Sequence, residues 1–331
     1  MSDIAKHQAY ELKQMQSLPL DIKIRMTKER IEQWYEYWDG MVYVSFSGGK
    51  DSTVLKHIVD SMYDDVPAVF VNTGLEYPEI QKFAMSQENV VTVRPEMRFD
   101  EVIKKYGYPI VSKEVAQTVW EAKKNVQTGK YEYRIKKLNG ELLDKNGKLS
   151  TYNIPKWKFL LDAPYDISHK CCDVMKKRPA KTYERKTGRK AIIGTLASES
   201  TLRKTQWVKY GCNAFESKRP TSQPLSFWTE QDILSYIKQF DVPYCSVYGD
   251  IIPVDEGALL KTTGCDRTGC IFCMFGCHLE KEPNRFQRLK ETHPRQYEYC
   301  IGGGEMVDGK WQPSKEGLGL GKVLDYINVK Y

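Results

Sequence analysis

The chain has 331 residues, 41% of them apolar, and a formal net charge of +7 at pH 7. This length exceeds the roughly 250 to 300 residues at which a single hydrophobic core stops growing, so we expect a main domain with a sizeable appendage. No apolar run approaches membrane-spanning length, and the first residues, MSDIAKHQAYELKQ, lack the basic-then-apolar pattern of a signal peptide, so we expect a cytoplasmic protein.

Predicted helices and strands alternate through the first part of the chain. Ile22 to Trp38 has apolar residues near helical spacing and is predicted to form a helix that ends before Gly40. Met41 to Phe46 and Pro67 to Asn72 are short apolar runs rich in strand-forming residues. Between them, one helical stripe is formed by Val54, Leu55, Ile58, Val59 and Met62. This alternation predicts an α/β fold with a doubly wound parallel sheet, in which ligands bind beyond the carboxyl ends of the strands.

The rest of the chain adds two strands, a polar insertion and a cysteine-rich region. Asn89 to Pro95 and Lys190 to Leu196 are predicted to be strands, with a helix around Val119 between them. Residues 127–160 interrupt this order as a hairpin-like insertion, and residues 231–240 are predicted to form a short helix. The domains expected are an N-terminal helical segment at 1–40, a sheet domain at 41–240 that contains the insertion, and a loop-rich, cysteine-containing C-terminal region at 241–331.

The stretch Val44 to Thr53 reads VSFSGGKDST and lies where the first predicted strand ends. Gly48 and Gly49 let backbone N–H groups close on phosphate oxygens, and Lys50 can neutralise the phosphate charge. Asp51 would repel a bare phosphate but attracts one through a bridging Mg²⁺ ion. The pattern is not a Walker loop, in which four residues separate a Gly from Gly-Lys-Ser/Thr; here Val44 occupies the place of that Gly and Asp51 follows the lysine. The plain alternative is a Gly-Gly turn, which the position between a strand and a helix disfavours.

The segment SGGKDS resembles the pyrophosphate loop of the ATP pyrophosphatase superfamily, whose enzymes cleave ATP between the α and β phosphates. Three later segments, VNTGLEYPE, GTLASESTLR and QPLSFWTEQDILSYI, resemble in order the motifs of its phosphoadenosine-phosphosulfate reductase branch. The resemblance covers about Val42 to Cys277 and implies an adenine nucleotide α-hydrolase-like fold. The catalytic residues that it implies are Lys50, Asp51 and Arg203. The nucleotide-binding residues that it implies are Ser47, Gly48, Gly49, Lys50, Asp51, Ser52, Asn72, Thr73, Gly74, Glu76, Gly194, Glu199 and Ser200.

The nine cysteines are bunched at close spacing, which in a reducing compartment favours metal or sulfur chemistry. The segments HKCCDVMKKRP and TGCDRTGCIFC resemble the pairs that hold a four-iron, four-sulfur cluster in adenylyl-sulfate reductases. The ligands so implied are Cys171, Cys172, Cys270 and Cys273. A second set, similar to that of related DNA phosphorothioation enzymes, is Cys265, Cys270, Cys273 and Cys277. Tetrahedral zinc and buried, inert thiols stay open as alternatives.

Two departures from the assimilatory reductases favour ATP as the nucleotide. The segment GLGLGKVLDYINVKY does not contain the Glu-Cys-Gly-(Ile/Leu)-His motif whose cysteine attacks sulfate in those enzymes, and the first loop is intact rather than degenerate. We therefore expect adenylation of a substrate oxygen, with release of pyrophosphate, as preparation for sulfur transfer. The alternatives are a reductase that makes sulfite from adenylyl sulfate or its 3′-phosphate, and a non-catalytic nucleotide or redox sensor.

A nucleic acid is one candidate for the sulfur acceptor. Basic and aromatic residues are interleaved in Gln127 to Phe159, ahead of a basic strip at Lys176 to Lys190 with eight basic residues and one acidic one. Such a surface suits the backbone and unstacked bases of DNA or RNA, with Lys136 and Lys137 as the test positions. A solvated hairpin whose rings pack on the sheet is an equal alternative. A sulfur-donor protein or thiol and a homo-oligomer are further open partners, and no membrane partner is expected.

Overall fold

The computed structural model describes residues 6–257 and 259–331, which form two compact units. The first unit comprises the described parts of Met1–Asn72, Glu76–Arg94 and Pro179–Thr268. The second comprises Thr73–Leu75, Pro95–Arg178 and Gly269–Tyr331. The predicted boundaries at residues 40 and 240 do not coincide with this division, because the chain leaves the first unit after its third strand and returns to it before the next strand of the sheet.

The helices of the described residues are distributed over both units. In chain order they are α1 (Ala9–Gln16), α2 (Leu20–Tyr37), α3 (Lys50–Asp60), α4 (Pro78–Ser86), α5 (Phe99–Tyr106), α6 (Lys113–Thr128), α7 (Glu132–Asn139), α8 (Arg178–Thr187), α9 (Thr201–Tyr210), α10 (Glu230–Gln239), α11 (Arg285–Thr292), α12 (Pro294–Ile301) and α13 (Leu320–Tyr326). None of these helices is long and apolar enough to cross a membrane.

The strands form one large sheet and three short pairs. In chain order they are β1 (Val42–Phe46), β2 (Ala68–Val71), β3 (Val90–Val93), β4 (Ile110–Val111), β5 (Lys190–Ile193), β6 (Asn213–Ala214), β7 (Thr221–Ser222), β8 (Ile251–Val254), β9 (Leu259–Thr262), β10 (Met274–Phe275), β11 (Glu305–Val307) and β12 (Lys310–Gln312). The large sheet lies in the first unit with the order β3-β2-β1-β5-β7-β6, and all its pairs are parallel except the last. The predicted doubly wound, mostly parallel α/β fold is confirmed.

Residues of the central strands alternate between two buried faces of the sheet. On one face Val42, Val44 and Phe46 of β1 join the main core, which also contains Trp34 of α2. On the other face Tyr43 packs with residues of β2 and β5. Burial on both faces explains why the strands read as nearly continuous apolar runs, as parallel strands covered by helices do.

In the second unit, the insertion and the C-terminal region are more helical than the sequence suggested. Within residues 127–160, α7 is followed by a turn in which Leu143 and Leu149 form an isolated antiparallel bridge, so only the tip resembles a hairpin. Beyond residue 269, where the sequence indicated a loop-rich region, the structure contains α11, α12 and α13. Asn284 caps α11 by accepting hydrogen bonds from the N–H groups of Phe286 and Gln287. Such a capping residue is a sequence signal for a helix start, but it was not recognised among the many Gly, Pro and Asn residues of this region.

Candidate functional site

A cavity of about 470 Å³ opens in the first unit at the carboxyl ends of β1 and β5. The chain runs outward from β1 toward β3 on one side and from β5 toward β6 on the other, so these two strands flank the point where the strand order reverses. Open α/β sheets bind ligands at this point, and the volume is that of a small-molecule site. The lining residues are Ser45, Ser47, Gly49, Lys50, Asp51, Ser52, Ile193, Gly194, Thr195, Glu199, Ser200, Arg203, Tyr248, Arg267 and Thr268.

The loop after β1 leads directly into α3. The helix begins at Lys50, so Lys50 and Asp51 lie in its first turn. There the partial positive charge of the helix end favours a carboxylate and an incoming anion alike. Gly48 has a φ of +72°, and a Cβ there would lie 3.0 Å from Ile80, so this glycine turns the loop against α4. It is absent from the residues that line the cavity.

Gly194 allows the end of β5 to approach the first turn of α3. A Cβ on Gly194 would lie 3.0 Å from the carbonyl oxygen of Asp51 and 3.2 Å from Cα of Ser52. This close approach brings the segment after β5 to the cavity, where Ser200 caps α9 by accepting a hydrogen bond from the N–H of Arg203. The segments SGGKDS and GTLASESTLR therefore meet at one site.

Lys50 is buried and fully engaged by its own chain. Its side chain is 5% exposed, and Nζ donates a hydrogen bond of 2.8 Å to the carbonyl oxygen of Asp266. Nζ also lies 3.1 Å from a carboxylate oxygen of Glu230 and 3.8 Å from Oδ1 of Asp51. A phosphate that is to pair with Lys50 must therefore replace these partners.

Asp51 offers a buried carboxylate oxygen to the cavity. Oδ1 is buried and accepts no hydrogen bond within the described part of the chain. Burial raises the pKa of Asp51, and Lys50 and Arg267 oppose the shift without cancelling it. A buried oxygen without a donor is costly unless something binds it, and hard divalent cations prefer carboxylate ligands. The residue therefore fits a Mg²⁺ ligand by its chemistry.

Tyr248, Arg267 and Thr268 line the cavity but were not found by sequence reasoning. The hydroxyl of Tyr248 accepts a hydrogen bond of 3.2 Å from the N–H of Lys50 and lies 2.7 Å from Oγ1 of Thr268. Burial raises the pKa of Tyr248 to about 12, so it is a neutral hydroxyl near pH 7. Tyr248 ends a short 3-10 helix at Ser246–Tyr248, whereas Arg267 and Thr268 lie in an irregular segment, and all three are outside the strand-ending motifs. The only hint in the sequence was the polar run ahead of Cys270.

Glu199 links two arginines at the mouth of the cavity. It forms ion pairs with Arg203, one helical turn ahead in α9, and with Arg267. The side chain of Glu199 is 12% exposed, whereas those of Arg203 and Arg267 are 37% and 56% exposed. The acid is thus enclosed while both guanidinium groups face the opening, and the three residues carry one net positive charge.

The segment VNTGLEYPE, which begins at the last residue of β2, contributes no residue to the lining of this cavity. The side-chain carbonyl of Asn72 accepts a hydrogen bond of 2.7 Å from Gln81, and the hydroxyl of Thr73 accepts one of 3.1 Å from the N–H of Leu75. Thr73 and Gly74 belong to the second unit, whereas Asn72 and Glu76 belong to the first. Their role in nucleotide binding stays a prediction.

In the second unit, the four cysteines of the first predicted ligand set line one small pocket. Its lining residues are Leu75, Phe99, Pro109, Cys171, Cys172, Cys270, Phe272, Cys273 and Phe275. A hydrogen bond from Cys171 lowers the pKa of the Cys172 thiol to about 6, with further lowering by Lys113 and Lys176. Among the described residues, however, no three Cys, His, Asp or Glu side chains are grouped so that they could hold a metal ion. The four thiols line the same pocket, but they are not arranged so that they could hold a metal ion.

The alternative ligands have other surroundings. Cys277 is buried, its thiol donates a hydrogen bond of 3.0 Å to the carbonyl oxygen of Met274, and burial raises its pKa to about 11. Cys265 belongs to the first unit, whereas Cys270 and Cys273 belong to the second. Neither alternative ligand lines the cysteine pocket.

Several basic residues of the candidate nucleic-acid surface are tied into the fold. Lys137 is 5% exposed and pairs with Glu114, and Arg134 pairs with Glu121 at 2.6 Å. In the basic strip, Arg189 donates a hydrogen bond of 2.7 Å to the carbonyl oxygen of Val42. The exposed members include Lys136, whose side chain is 52% exposed; those of Tyr133 and Tyr152 are large exposed rings.

The mostly parallel sheet with a cavity at its switch point agrees with the family to which the sequence is matched. The family profile of the phosphoadenosine phosphosulfate reductase domain matches residues 41–275. Because this match covers most of the chain, the protein belongs to that family. The predicted family resemblance is confirmed.

The similar proteins are distant. An uncharacterised protein of Methanocaldococcus jannaschii is 25% identical over 82% of this chain and 53% of its own length. A second one from that organism is 24% identical over 85% of this chain and 48% of its own length, so the chain spans about half the length of these relatives. An adenosine 5′-phosphosulfate reductase of Staphylococcus epidermidis is 24% identical over 67% of this chain and 72% of its own. The crystal structure of the phosphoadenylyl-sulfate reductase of Candida auris aligns with a TM-score of 0.37 and 16% identity, over 70% of this chain and 91% of that one.

Proposed function

We propose that this chain binds ATP in the cavity of the first unit and transfers AMP to an oxygen of a second substrate. The reaction forms a bond between that oxygen and the α phosphorus and breaks the bond between the α phosphorus and the bridging oxygen, so pyrophosphate leaves. The observation that carries the proposal is the intact SGGKDS loop at the switch point, where Asp51 lines the cavity and its buried Oδ1 accepts no hydrogen bond within the described part of the chain.

The residues of the first unit have separate roles in this proposal. Backbone N–H groups of the loop and of the first turn of α3 bind phosphate oxygens. Lys50 exchanges the carbonyl of Asp266 for a phosphate oxygen, and Arg203 stabilises the charge that develops on the leaving pyrophosphate. Asp51 would hold a Mg²⁺ ion, which neutralises phosphate charge when bound.

The adenylated oxygen becomes a good leaving group, and we propose that its purpose is sulfur transfer. Hydrosulfide, supplied by a donor, attacks the activated carbon: the carbon–sulfur bond forms, the carbon–oxygen bond breaks, AMP leaves with the oxygen, and the proton is lost to solvent. The four cysteines of the second unit would hold a four-iron, four-sulfur cluster, supported by their shared apolar pocket and the low pKa of Cys172. Since they form no finished metal site, no step of the reaction is assigned to the cluster. DNA or RNA is the acceptor that the exposed basic and aromatic side chains of residues 127–160 suit.

Product analysis tests the proposal. Anaerobically purified protein is incubated with ATP and Mg²⁺, with and without single-stranded DNA or RNA, and the nucleotides are separated by chromatography. We expect pyrophosphate in the presence of the correct acceptor, with AMP attached to that acceptor until hydrosulfide is added and then released in an equal amount, and neither product with Asp51→Asn. ADP and phosphate as the products would contradict cleavage between the α and β phosphates.

A reductase of adenylyl sulfate is the second candidate. The similarity to the S. epidermidis adenosine 5′-phosphosulfate reductase and the pocket that gathers four cysteines favour it. It predicts sulfite and AMP from adenylyl sulfate in the presence of a dithiol reductant, which supplies the two electrons. Binding of both nucleotides without turnover of either would instead support the third reading, a nucleotide or redox sensor.

A further inference from the structure

We infer that Arg267 and Arg203, held by Glu199, form a subsite for the terminal phosphates of the nucleotide and for the pyrophosphate that leaves. The inference deepens the proposed function and rests on it. The motif comparison assigned Arg203 and Glu199 to the nucleotide site, whereas nothing in the sequence pattern assigned Arg267.

The geometry gives the pair of arginines its function. Both guanidinium groups contact the carboxylate of Glu199, so both are held at the cavity mouth before a ligand arrives. A guanidinium offers a planar fork of N–H donors that matches phosphate oxygens, and prior positioning reduces the entropy lost on binding. Two such groups on one carboxylate fit a ligand with several adjacent anionic oxygens better than a single phosphate.

The charges of the cavity point to the same ligand. Lys50 is already matched by Glu230 and by the carbonyl of Asp266, so its charge is largely compensated. Once Mg²⁺ is bound to Asp51, as the proposed function requires, the positive charge of the cavity residues that is not matched by an acid lies on the two arginines that share Glu199. A polyphosphate whose reacting end lies over Lys50 and Asp51 can place its remaining oxygens there.

Equilibrium binding distinguishes this subsite from other roles of the same residues. Affinities for inorganic pyrophosphate, ATP and AMP are measured by calorimetry on the full chain with Mg²⁺ present. Arg267→Ala removes one charged donor group, so pyrophosphate and ATP should bind about ten- to a hundredfold more weakly, while AMP binding stays unchanged. Arg267→Lys should recover part of the loss, since it restores charge without the planar fork. Arg25→Ala, which removes an exposed guanidinium from α2, is the control and should change none of the affinities.

Glu199→Gln tests whether the carboxylate positions the two arginines for the ligand. The amide keeps the shape but loses the charge that holds both guanidinium groups, so pyrophosphate should bind several-fold more weakly, with AMP binding unchanged. Equal weakening of AMP and ATP by Arg267→Ala would overturn the inference, because the arginine would then act on the nucleoside or the α phosphate. Unchanged or tighter pyrophosphate binding in Glu199→Gln would also overturn it, since the carboxylate would then not hold the arginines for the ligand. These measurements need no turnover, so they remain informative if ATP is bound but not cleaved.

Discussion

The two pockets of this protein differ in what fills them. The cavity of the first unit is lined by charged and hydroxyl side chains that are mostly paired with one another. The cysteine pocket of the second unit is lined by four thiols together with leucine, proline and phenylalanine side chains. The polar side chains of the first pocket form ion pairs and hydrogen bonds within their own unit, whereas the second pocket brings four thiols together among apolar side chains. The chemistry of the first pocket can thus be inferred from the contacts between its side chains, and that of the second from the residue types that line it.

The largest effect on the first pocket is expected from Gly49→Val. A Cβ at Gly49 would lie 3.2 Å from Oγ of Ser47 and from the hydroxyl of Tyr248, so the branched side chain must displace the loop. Displacement by about 1 Å is enough to lower the rate by roughly a hundredfold, and we expect ATP cleavage to fall by at least that factor. Pyrophosphate release is measured, with thermal unfolding to verify the fold. Gly269→Val is the matched control, because a Cβ there would meet no atom within 4 Å. Unchanged cleavage in Gly49→Val would remove the loop from the site.

In the second pocket, Cys273→Ala should abolish iron binding. Protein purified without oxygen should be brown and hold about four irons per chain, and loss of one of four ligands should reduce this to near zero. Cys171→Ala should do the same and Cys265→Ala should not, if the four pocket cysteines are the ligands. Iron analysis and the visible absorption spectrum measure the outcome, with Cys212→Ala as a control from the first unit. Loss of iron in Cys265→Ala but not in Cys171→Ala would select the second ligand set, and stoichiometric zinc without iron would exclude the cluster.

Asp51→Asn should stabilise the fold while it removes activity. Because burial raises the pKa of Asp51 above its ordinary value of 3.8, the folded chain holds a proton in a pH window where the unfolded chain has released it. Wild-type stability therefore falls as the pH rises through that window. The midpoint of thermal unfolding should be higher in the variant at pH 7, by about 2 to 4 °C for each kcal/mol relieved, and the gain should vanish toward pH 4.

Calorimetry without Mg²⁺ over this pH range measures the difference. Asp250→Asn, at an exposed position, is the control and should show no such trend. A variant that is less stable than the wild type at pH 7 would show that the ionised carboxylate supports the fold rather than strains it.

The smallest effect is expected from charge reversal on the insertion. Lys136→Glu should weaken binding of single-stranded DNA or RNA a few-fold and reduce the steepness of its salt dependence by about one phosphate contact, with ATP affinity unchanged. Lys137 is unsuitable for this test because its pair with Glu114 is buried, and its loss would disturb the fold. Lys82→Glu changes an exposed charge in the first unit and serves as the control. Equal effects of both variants would indicate binding without a specific surface.

Much of the first unit was predictable because its signals are local. The first strand was expected at 41–46 and is observed at Val42–Phe46, and the helix expected at 22–38 is observed at Leu20–Tyr37. The loop and the segment after β5 were predicted as binding motifs, and both line the cavity. Tyr248 and Arg267 were missed because long-range packing brings them to the loop, and no periodicity encodes such contacts. The interleaved units were missed for the same reason, since residues 95–178 carry helical patterns that do not reveal their partners.

Lys50 illustrates how groups of the chain itself can compete with a ligand. The carbonyl of Asp266 and the carboxylate of Glu230 hold its ammonium group at 2.8 and 3.1 Å. To bind Lys50, a chloride ion or a single phosphate must break both contacts and gains little free energy in return. A polyphosphate bound to Mg²⁺ replaces them with contacts from several oxygens at once. The pocket should therefore resist inhibition by the simple anions of the cell. Product dissociation should also be fast, because the carbonyl of Asp266 and the carboxylate of Glu230 can bind the ammonium group again as the product leaves.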